Sequence, residues 1–200
     1  MTFRVLALAA LLPCLAVCND WDKDKIQGNP SAPVAIEIYA SFDCPHCRVL
    51  HETVVPQMIK DLVNTGKAVI VYREFPLTGP YHKYAREAAN IATAAARIGK
   101  YKEVADALFK TQLAWYDSGK IWDSIGSTLP PPEMSKVKAL STDPGVLAEV
   151  ERDYQAGASS GINQTPTMMV IAERSGKRWP FAGVPENYSF FRDFILKDIN

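Results

Sequence analysis

The sequence has no excess of charge of either sign and no run of basic residues. Its 22 lysines and arginines balance 22 aspartates and glutamates in a chain of 200 residues. Because nucleic-acid-binding domains carry basic patches or stripes, we expect no nucleic-acid partner. Internal repeats and low-complexity segments are also missing, which excludes repeat architectures and long disordered tracts.

Long hydrophobic runs are missing as well. The apolar run at residues 5–12 is far shorter than the roughly 20 residues that span a bilayer. It follows one basic residue, Arg4, and precedes small and apolar residues that end at Cys18. This arrangement is typical of a secretory signal peptide, so we predict one at residues 1–18. A buried N-terminal helix is the alternative.

The end of this signal has two interpretations. The stretch Leu15-Ala16-Val17-Cys18 resembles a bacterial lipobox, in which Cys18 would carry a lipid anchor. Val17 departs from that pattern, because its position usually holds a smaller residue. Ordinary cleavage after Cys18 is the competing interpretation, and the sequence leaves both open.

Cysteine is scarce, since the chain has 4 and two of them lie in the predicted signal. The remaining pair is Cys44 and Cys47. Small exported scaffolds depend on several disulfides, and one bridge across so short a loop removes little unfolded-state entropy. We therefore predict that the pair carries chemistry. A metal site is the alternative, but a second Cys/His pair of the usual spacing is missing.

The pair lies between an apolar strand-like run, residues 34–40, and a helical pattern over residues 48–64. A helix start has unpaired N–H groups and a partial positive charge, which stabilise a reactive thiolate. Pro45 suits the first helical position. We predict Cys44 as the exposed nucleophile and Cys47 as the deeper resolving thiol. His46, through its ring and its amide, should favour the Cys44 thiolate.

The rest of the pattern predicts an α/β fold. A second strand at residues 68–75 completes a right-handed parallel crossover, and a strand hairpin and a closing helix end the chain. We predict four further segments: an N-terminal tether (19–33), a body in two parts (34–80 and 158–200) and an inserted helical domain (81–157).

Four stretches of the chain resemble the DsbA-like family of exported thiol–disulfide oxidoreductases. They are residues 28–34, the motif Phe42-Asp43-Cys44-Pro45-His46-Cys47, residues 82–109 and residues 161–167. The resemblance implies a thioredoxin fold with a helical insertion between the second and third core strands. It also implies a cis peptide bond before Pro166, with Thr165 and Pro166 binding the substrate peptide as an added strand.

Two features depart from the oxidising members of that family. Such members often carry Val before the cis-proline, whereas isomerases and many other members carry Thr, as here at Thr165. They also often carry a buried acid at the position of Ile38, which relays the proton of the deeper thiol. Glu37 is offset by one and should face the other side of its strand. It would serve as the relay only if a bulge shifted the register; a strand-end Glu with a basic partner is the alternative.

The primary hypothesis is an exported, periplasmic or extracytoplasmic, monomeric dithiol oxidase without a cofactor. Its partners would be cysteine-containing exported proteins and a membrane redox protein that regenerates the disulfide. A reductase or isomerase is the alternative within the same chemistry. A redox-inert or metal-delivering binding protein is the alternative from another class.

Overall fold

A five-stranded sheet forms the centre of the computed structural model, which describes residues 21–198. The predicted signal and Cys18 lie outside the described residues. The strand order is β1-β3-β2-β4-β5, with β2 and β3 parallel and the other neighbours antiparallel. The strands are β1 (Ile26–Gln27), β2 (Val34–Ala40), β3 (Ala68–Glu74), β4 (Thr167–Ala172) and β5 (Lys177–Ala182).

The parallel pair is joined by a long helical segment, residues 45–63, which we call the dithiol helix. Strand β2 is apolar and buried along nearly its whole length, because helices cover both faces of this part of the sheet. Strands β4 and β5 form a hairpin that pairs from Thr167 opposite Ala182 to Ala172 opposite Lys177. The predicted order of strands and helices is confirmed from β2 onwards.

The dithiol helix alternates between α and π turns. Its α-helical parts are Pro45–Val49 and Val55–Met58, and its π-helical parts are Leu50–Val54 and Ile59–Val63. Pro56 lies in the first turn of the second α-helical part. Proline has no N–H to donate, so a wider turn before it accommodates the missing bond.

The segment between β3 and β4 is helical. Its helices are Ala85–Ala96, Tyr101–Lys110, Gln112–Trp115, Ile121–Ile125, Pro131–Leu140 and Pro144–Ser159. The chain closes with the helix Tyr188–Asp193 and the π turn Phe194–Asp198. Cys44 and Cys47 share one apolar cluster with the alanine-rich face of Ala85–Ala96. No helix in the described part of the chain has the length and apolar character needed to cross a bilayer.

The segment predicted as a tether is built into the body instead. A short 3-10 turn, Lys23–Lys25, leads into β1, which pairs antiparallel with the outer side of β3. Lys25 is 2% exposed. The tether interpretation is therefore wrong for the described part of residues 19–33. Its charged residues find partners far along the chain, which a local pattern does not show.

Those partners form a buried ionic cluster between β3 and the helix Pro144–Ser159. Asp153 accepts hydrogen bonds from the Lys25 ammonium at 2.6 Å and from the Arg73 guanidinium at 2.9 Å. Arg73 also donates to Glu37 at 2.9 Å, and Lys25 forms a second ion pair with Glu149. Buried charges of this kind are tolerated only when each is paired. The cluster thus ties the N-terminal segment, the sheet and the insertion together.

We predict that Asp153→Asn destabilises the protein by about 3–5 kcal/mol, because Lys25 and Arg73 lose their shared counter-charge. Glu151→Gln on the same helix is the matched control. Glu151 pairs with Arg86 at 2.9 Å in an exposed position, so its loss should cost less than about 1 kcal/mol. Urea unfolding of the two variants measures the difference. Equal losses of unfolding free energy in the two variants would contradict a stabilising role of the buried cluster.

Candidate active site

Cys44 and Cys47 lie where β2 ends and the dithiol helix begins. Cys44 is the N-cap residue, with an extended backbone, and Pro45 follows it in the first turn. Both thiols are free and buried, Cys44 being 5% and Cys47 1% exposed. Pro45 and His46 are exposed between them. The predicted nucleophile is therefore the more accessible thiol, but it is covered, whereas the sequence predicts an exposed position.

The cover is the loop that precedes β4. The Thr165–Pro166 peptide bond in this loop is cis. The Cys44 sulfur lies 3.4 Å from the Thr165 carbonyl oxygen, to which the protonated thiol donates. The Thr165 hydroxyl is buried and accepts or donates no hydrogen bond of ordinary geometry in the described part of the chain. Its position beside the dithiol nevertheless lowers the pKa of both thiols. The structure thus brings Cys44 together with Thr165, and it leaves a hydroxyl donor beside the sulfur atoms.

The two thiols have very different acidities. A hydrogen bond from Cys47 is the largest cause that lowers the pKa of Cys44 from 9.0 to about 6, against the opposing effect of burial. Thr165 and the backbone N–H groups of Cys47 and His46 lower this pKa further. Burial, followed by the bond to Cys44 and its charge, raises the pKa of Cys47 well above its ordinary value. At neutral pH the site therefore holds one thiolate and one thiol.

His46 contributes to this site through its backbone N–H, which lowers the pKa of Cys44. Its ring is exposed at the surface. The amide part of its predicted role thus has electrostatic support, and the part assigned to a charged ring stays a prediction.

A buried glutamine from the insertion fixes the backbone of the motif. The Gln112 side-chain amide donates to the carbonyl oxygens of Phe42 at 2.6 Å and Cys44 at 3.0 Å. Gln112 is 1% exposed. The sequence analysis missed this residue, because nothing in its local pattern links it to a turn so far away in the chain. Its contacts hold the Cys44 backbone in the extended N-cap conformation.

A second network joins the turn to the start of the insertion. The Asp43 carboxylate accepts from the Ser41 hydroxyl at 2.5 Å and lies 2.6 Å from the His82 ring nitrogen Nδ1. Ser41 in turn accepts from the backbone N–H of Leu77 at 3.2 Å. Asp43 is therefore a local hydrogen-bonding residue, and its partner His82 is structural.

Glu37, the candidate proton relay, does not face the dithiol. Its strand pairs with β3 in unbroken register from Val34 opposite Ala68 to Ala40 opposite Glu74, so the required bulge is not present in β2. The Glu37 carboxylate instead binds Arg73 and, at 3.1 Å, Arg178. Because side chains alternate along a strand, Glu37 lies on the face opposite to Cys47. The structure therefore corrects the relay assignment in favour of the alternative, a strand Glu with basic partners.

The family is decided by a sequence model that matches most of the chain. Residues 21–179 match the model described as thioredoxin. The chain belongs to the thioredoxin family. This match includes the CPHC turn and the cis-proline loop, so the geometry above lies within the region that defines the family.

Curated relatives of this thioredoxin-family chain include disulfide oxidoreductases and sodium/proton antiporters. A putative protein-disulfide oxidoreductase of Rickettsia felis is 31% identical over 85% of this chain and 53% of its own length. The Na(+)/H(+) antiporter NhaA 3 of Salinispora tropica is 30% identical over 80% of this chain and 23% of its own length. The chain thus spans about half of the first relative and less than a quarter of the second.

Solved structures share the fold at low sequence identity. The α-DsbA1 protein of Wolbachia pipientis superposes with a TM-score of 0.70 at 23% identity, covering 86% of this chain and 89% of that chain. The DsbA2 protein of Pseudomonas aeruginosa gives 0.66 at 22% identity, covering 88% and 96%. The fold is therefore the thioredoxin fold with a helical insertion that DsbA proteins have.

We predict that Thr165→Val raises the pKa of Cys44 by about one unit. A hydrogen bond to a charged group contributes about 1.5–3 kcal/mol, and one pKa unit corresponds to about 1.4 kcal/mol. Thr167→Val is the control, since the Thr167 hydroxyl donates to the Gln164 carbonyl at 2.8 Å. The ultraviolet absorbance of the thiolate against pH measures the shift. An unchanged Cys44 titration in Thr165→Val would show that the hydroxyl does not reach the sulfur.

Proposed function

We propose that this protein is an exported thiol–disulfide oxidoreductase that acts as a dithiol oxidase on cysteines of other exported proteins. One observation carries the proposal. The Cys44 sulfur lies at a helix start, with a pKa of about 6, and touches the carbonyl of Thr165 in the cis-proline loop. The Cys44 sulfur is thus both the stabilised thiolate and the atom that contacts the loop expected to bind a peptide. The name of the Rickettsia felis relative supports the same chemistry.

The reaction starts from the Cys44–Cys47 disulfide. A substrate thiolate attacks the Cys44 sulfur, the Cys44–Cys47 bond breaks, and its electron pair stays on Cys47, which takes up a proton. A second substrate thiolate then attacks the substrate sulfur of this mixed disulfide. The Cys44 thiolate leaves, so the substrate is oxidised by two electrons and the enzyme is reduced by two. The thiol of high pKa receives the proton, and the thiol of low pKa leaves as an anion.

The acidity of Cys44 favours the oxidising direction. Interactions that stabilise the thiolate exist only in the reduced protein, so they make reduction of the disulfide more favourable. Thr165 before the cis-proline is the feature that keeps reduction or isomerisation as the second candidate, since the DsbA-like resemblance associates threonine there with isomerases.

The proposed partners follow from the site. The backbone of Thr165 lies at the dithiol, where an extended peptide would pair with it. His82 and Gln112 bind the active-site motif, and each has an exposed apolar neighbour in the chain, Tyr81 and Leu113. These two side chains offer apolar contacts to an unfolded substrate. We propose that the protein works as a monomer outside the cytoplasm, with or without a lipid anchor at Cys18, and that a membrane redox protein reoxidises it.

We predict a reduction potential for the Cys44–Cys47 pair that is more oxidising than roughly −200 mV, the upper end of the glutaredoxin range. Equilibration with glutathione buffers measures it. A value near about −270 mV, that of thioredoxin, would overturn the oxidase assignment. Cys44→Ser should abolish exchange, whereas Cys47→Ser should accumulate a mixed disulfide. Binding of exported proteins that survives Cys44→Ser, together with no measurable exchange by the wild-type protein, would support the binding-protein alternative instead.

The stability of the reduced protein should depend on pH through Cys44. Its pKa falls from 9.0 to about 6 on folding, so its contribution is fully present above the unfolded value and is lost as pH falls through 6. We therefore predict that reduced protein gains stability over oxidised protein as pH rises from about 6 towards 9. Denaturant unfolding of both forms across this range measures it. A pH-independent difference would contradict a thiolate stabilised by the fold.

A further inference from the structure

A narrow cavity lies behind Cys47, on the face of the sheet that the dithiol helix covers. Its volume is about 30 Å³. A void of this size has room for one or two water molecules, which require polar partners. Most of its lining is apolar, including Ile38, Leu50 and Phe109, and Cys47, Glu74 and Tyr101 are among its polar lining residues. The cavity therefore connects the resolving thiol to a buried carboxyl group that the sequence analysis did not single out.

Glu74 is the last residue of β3 and pairs in register with Ala40 of β2. It is 2% exposed, and the Tyr101 hydroxyl donates to its Oε1 at 2.9 Å. The ionisable groups around it come from five elements of the fold. They are Lys25 of the 3-10 turn, Tyr72 and Arg73 of β3, Cys47 and His51 of the dithiol helix, Tyr101 and Lys102 of the helix Tyr101–Lys110, and Glu149 and Asp153 of Pro144–Ser159. Most of the negative neighbours are already paired with Lys25 or Arg73.

This environment keeps the proton on Glu74 at neutral pH. Burial is the largest cause that raises its pKa to about 8, and the charge of Asp153 raises it as well. Lys25 and the Tyr101 hydroxyl lower this pKa, because they stabilise the ionised form of Glu74. The group can therefore lose and regain a proton near physiological pH, unlike a carboxyl in open water.

We propose that Glu74 is the residue that supplies the proton to Cys47 and takes it back, through water in the cavity that the two side chains share. The proposal rests on disulfide exchange at Cys44 and Cys47 as proposed above, but not on its direction. When a substrate thiolate breaks the Cys44–Cys47 bond, the Cys47 sulfur receives the electron pair. The Glu74 carboxyl then gives up its proton, Cys47 becomes a thiol and Glu74 a carboxylate. Reoxidation reverses each transfer.

The acidities make this transfer favourable. Cys47 holds its proton more tightly than Glu74, because its pKa is raised well above 9.0. The Glu74 carboxylate that results faces the Lys25 ammonium and keeps the hydrogen bond from Tyr101. A proton acceptor buried without such partners would not ionise.

The walls of the cavity also offer a route to solvent. His51, Val55, Tyr72 and Lys102 line both this cavity and an open groove of about 450 Å³ beside the dithiol helix. The His51 ring nitrogen Nε2 lies 2.7 Å from the Asp106 carboxylate in that groove. Glu74 can thus be reprotonated from the groove past His51, on the side away from the substrate surface at Thr165.

Glu74→Gln tests the proposal. Glutamine resembles the protonated carboxyl that the native site holds at neutral pH, so the variant should fold. In a Cys44→Ser background, the ultraviolet absorbance of the Cys47 thiolate gives its pKa without any exchange reaction. We expect the added Glu74→Gln change to lower this pKa by about one unit, because the carboxylate that opposes ionisation above pH 8 is removed. Glu37→Gln, on the opposite face, should leave it unchanged.

Exchange kinetics give the second readout. With both cysteines present, we expect Glu74→Gln to slow single-turnover reduction by a small dithiol peptide about tenfold at neutral pH and to remove a step near pH 8. Tyr101→Phe, which deletes one donor to the carboxylate, should move that step to higher pH and serves if Glu74→Gln does not fold. A native Cys47 titration and pH profile in these variants would overturn the proposal. A wild-type protein that exchanges no disulfides would refute the proposed function instead, and the Cys47 titration would still test Glu74.

Discussion

The site depends on the helix start at Cys44, which places the Cys47 thiol and the backbone N–H groups of His46 and Cys47 around the Cys44 sulfur. The Cys47 thiol has the largest effect on the acidity of Cys44, and the backbone N–H groups, which have no partner within the helix, add to it. Their orientation requires an extended Cys44 backbone, which Gln112 holds by two bonds to the Phe42 and Cys44 carbonyls. The Thr165 loop then covers the sulfur, and Cys44 is 5% exposed. The acidity of the thiol thus depends on the Cys47 thiol and on a backbone conformation, and elements from three distant parts of the chain keep both in place.

Two adjacent residues of β3 carry ionisable groups that serve different ends. Arg73 pairs with Glu37 and with Asp153 of Pro144–Ser159 in the buried cluster, where the contribution is to stability. Glu74, the next residue after Arg73, faces the dithiol side, and burial keeps its carboxyl neutral at pH 7, although Lys25 and Asp153 of the cluster also act on its pKa. One strand therefore carries a structural charge and a titrating charge in adjacent positions, because successive side chains leave a strand on opposite faces.

The fold and the reactive pair could be predicted from the sequence because their signals are local. The apolar run of β2, the Cys-x-x-Cys turn and the proline after Cys44 lie within a few residues of each other, and Pro166 precedes the next long apolar run. The N-terminal strand β1, the clamp by Gln112 and the role of Lys25 could not be predicted in this way. Each of them acts through contacts between segments far apart in the chain, such as Lys25 with Asp153, and no periodicity encodes such a contact.

The buried acid on the dithiol side of the sheet belongs to β3, whereas the sequence directs attention to β2. The expectation was an acid at the position of Ile38, directly beneath the pair, and Glu37 was the nearest substitute along the chain. The register places Ile38 opposite Tyr72 and Ala40 opposite Glu74, so Glu74 lies on the same face as Ile38, one strand over and two residues further on. Proton exchange requires a carboxyl group on the correct face of the sheet and a path to the sulfur, whichever strand carries the carboxyl group. The neighbouring strand supplies the carboxyl group, and the cavity that Cys47 and Glu74 share is the path that we propose, so apolar Ile38 is compatible with proton exchange at Cys47.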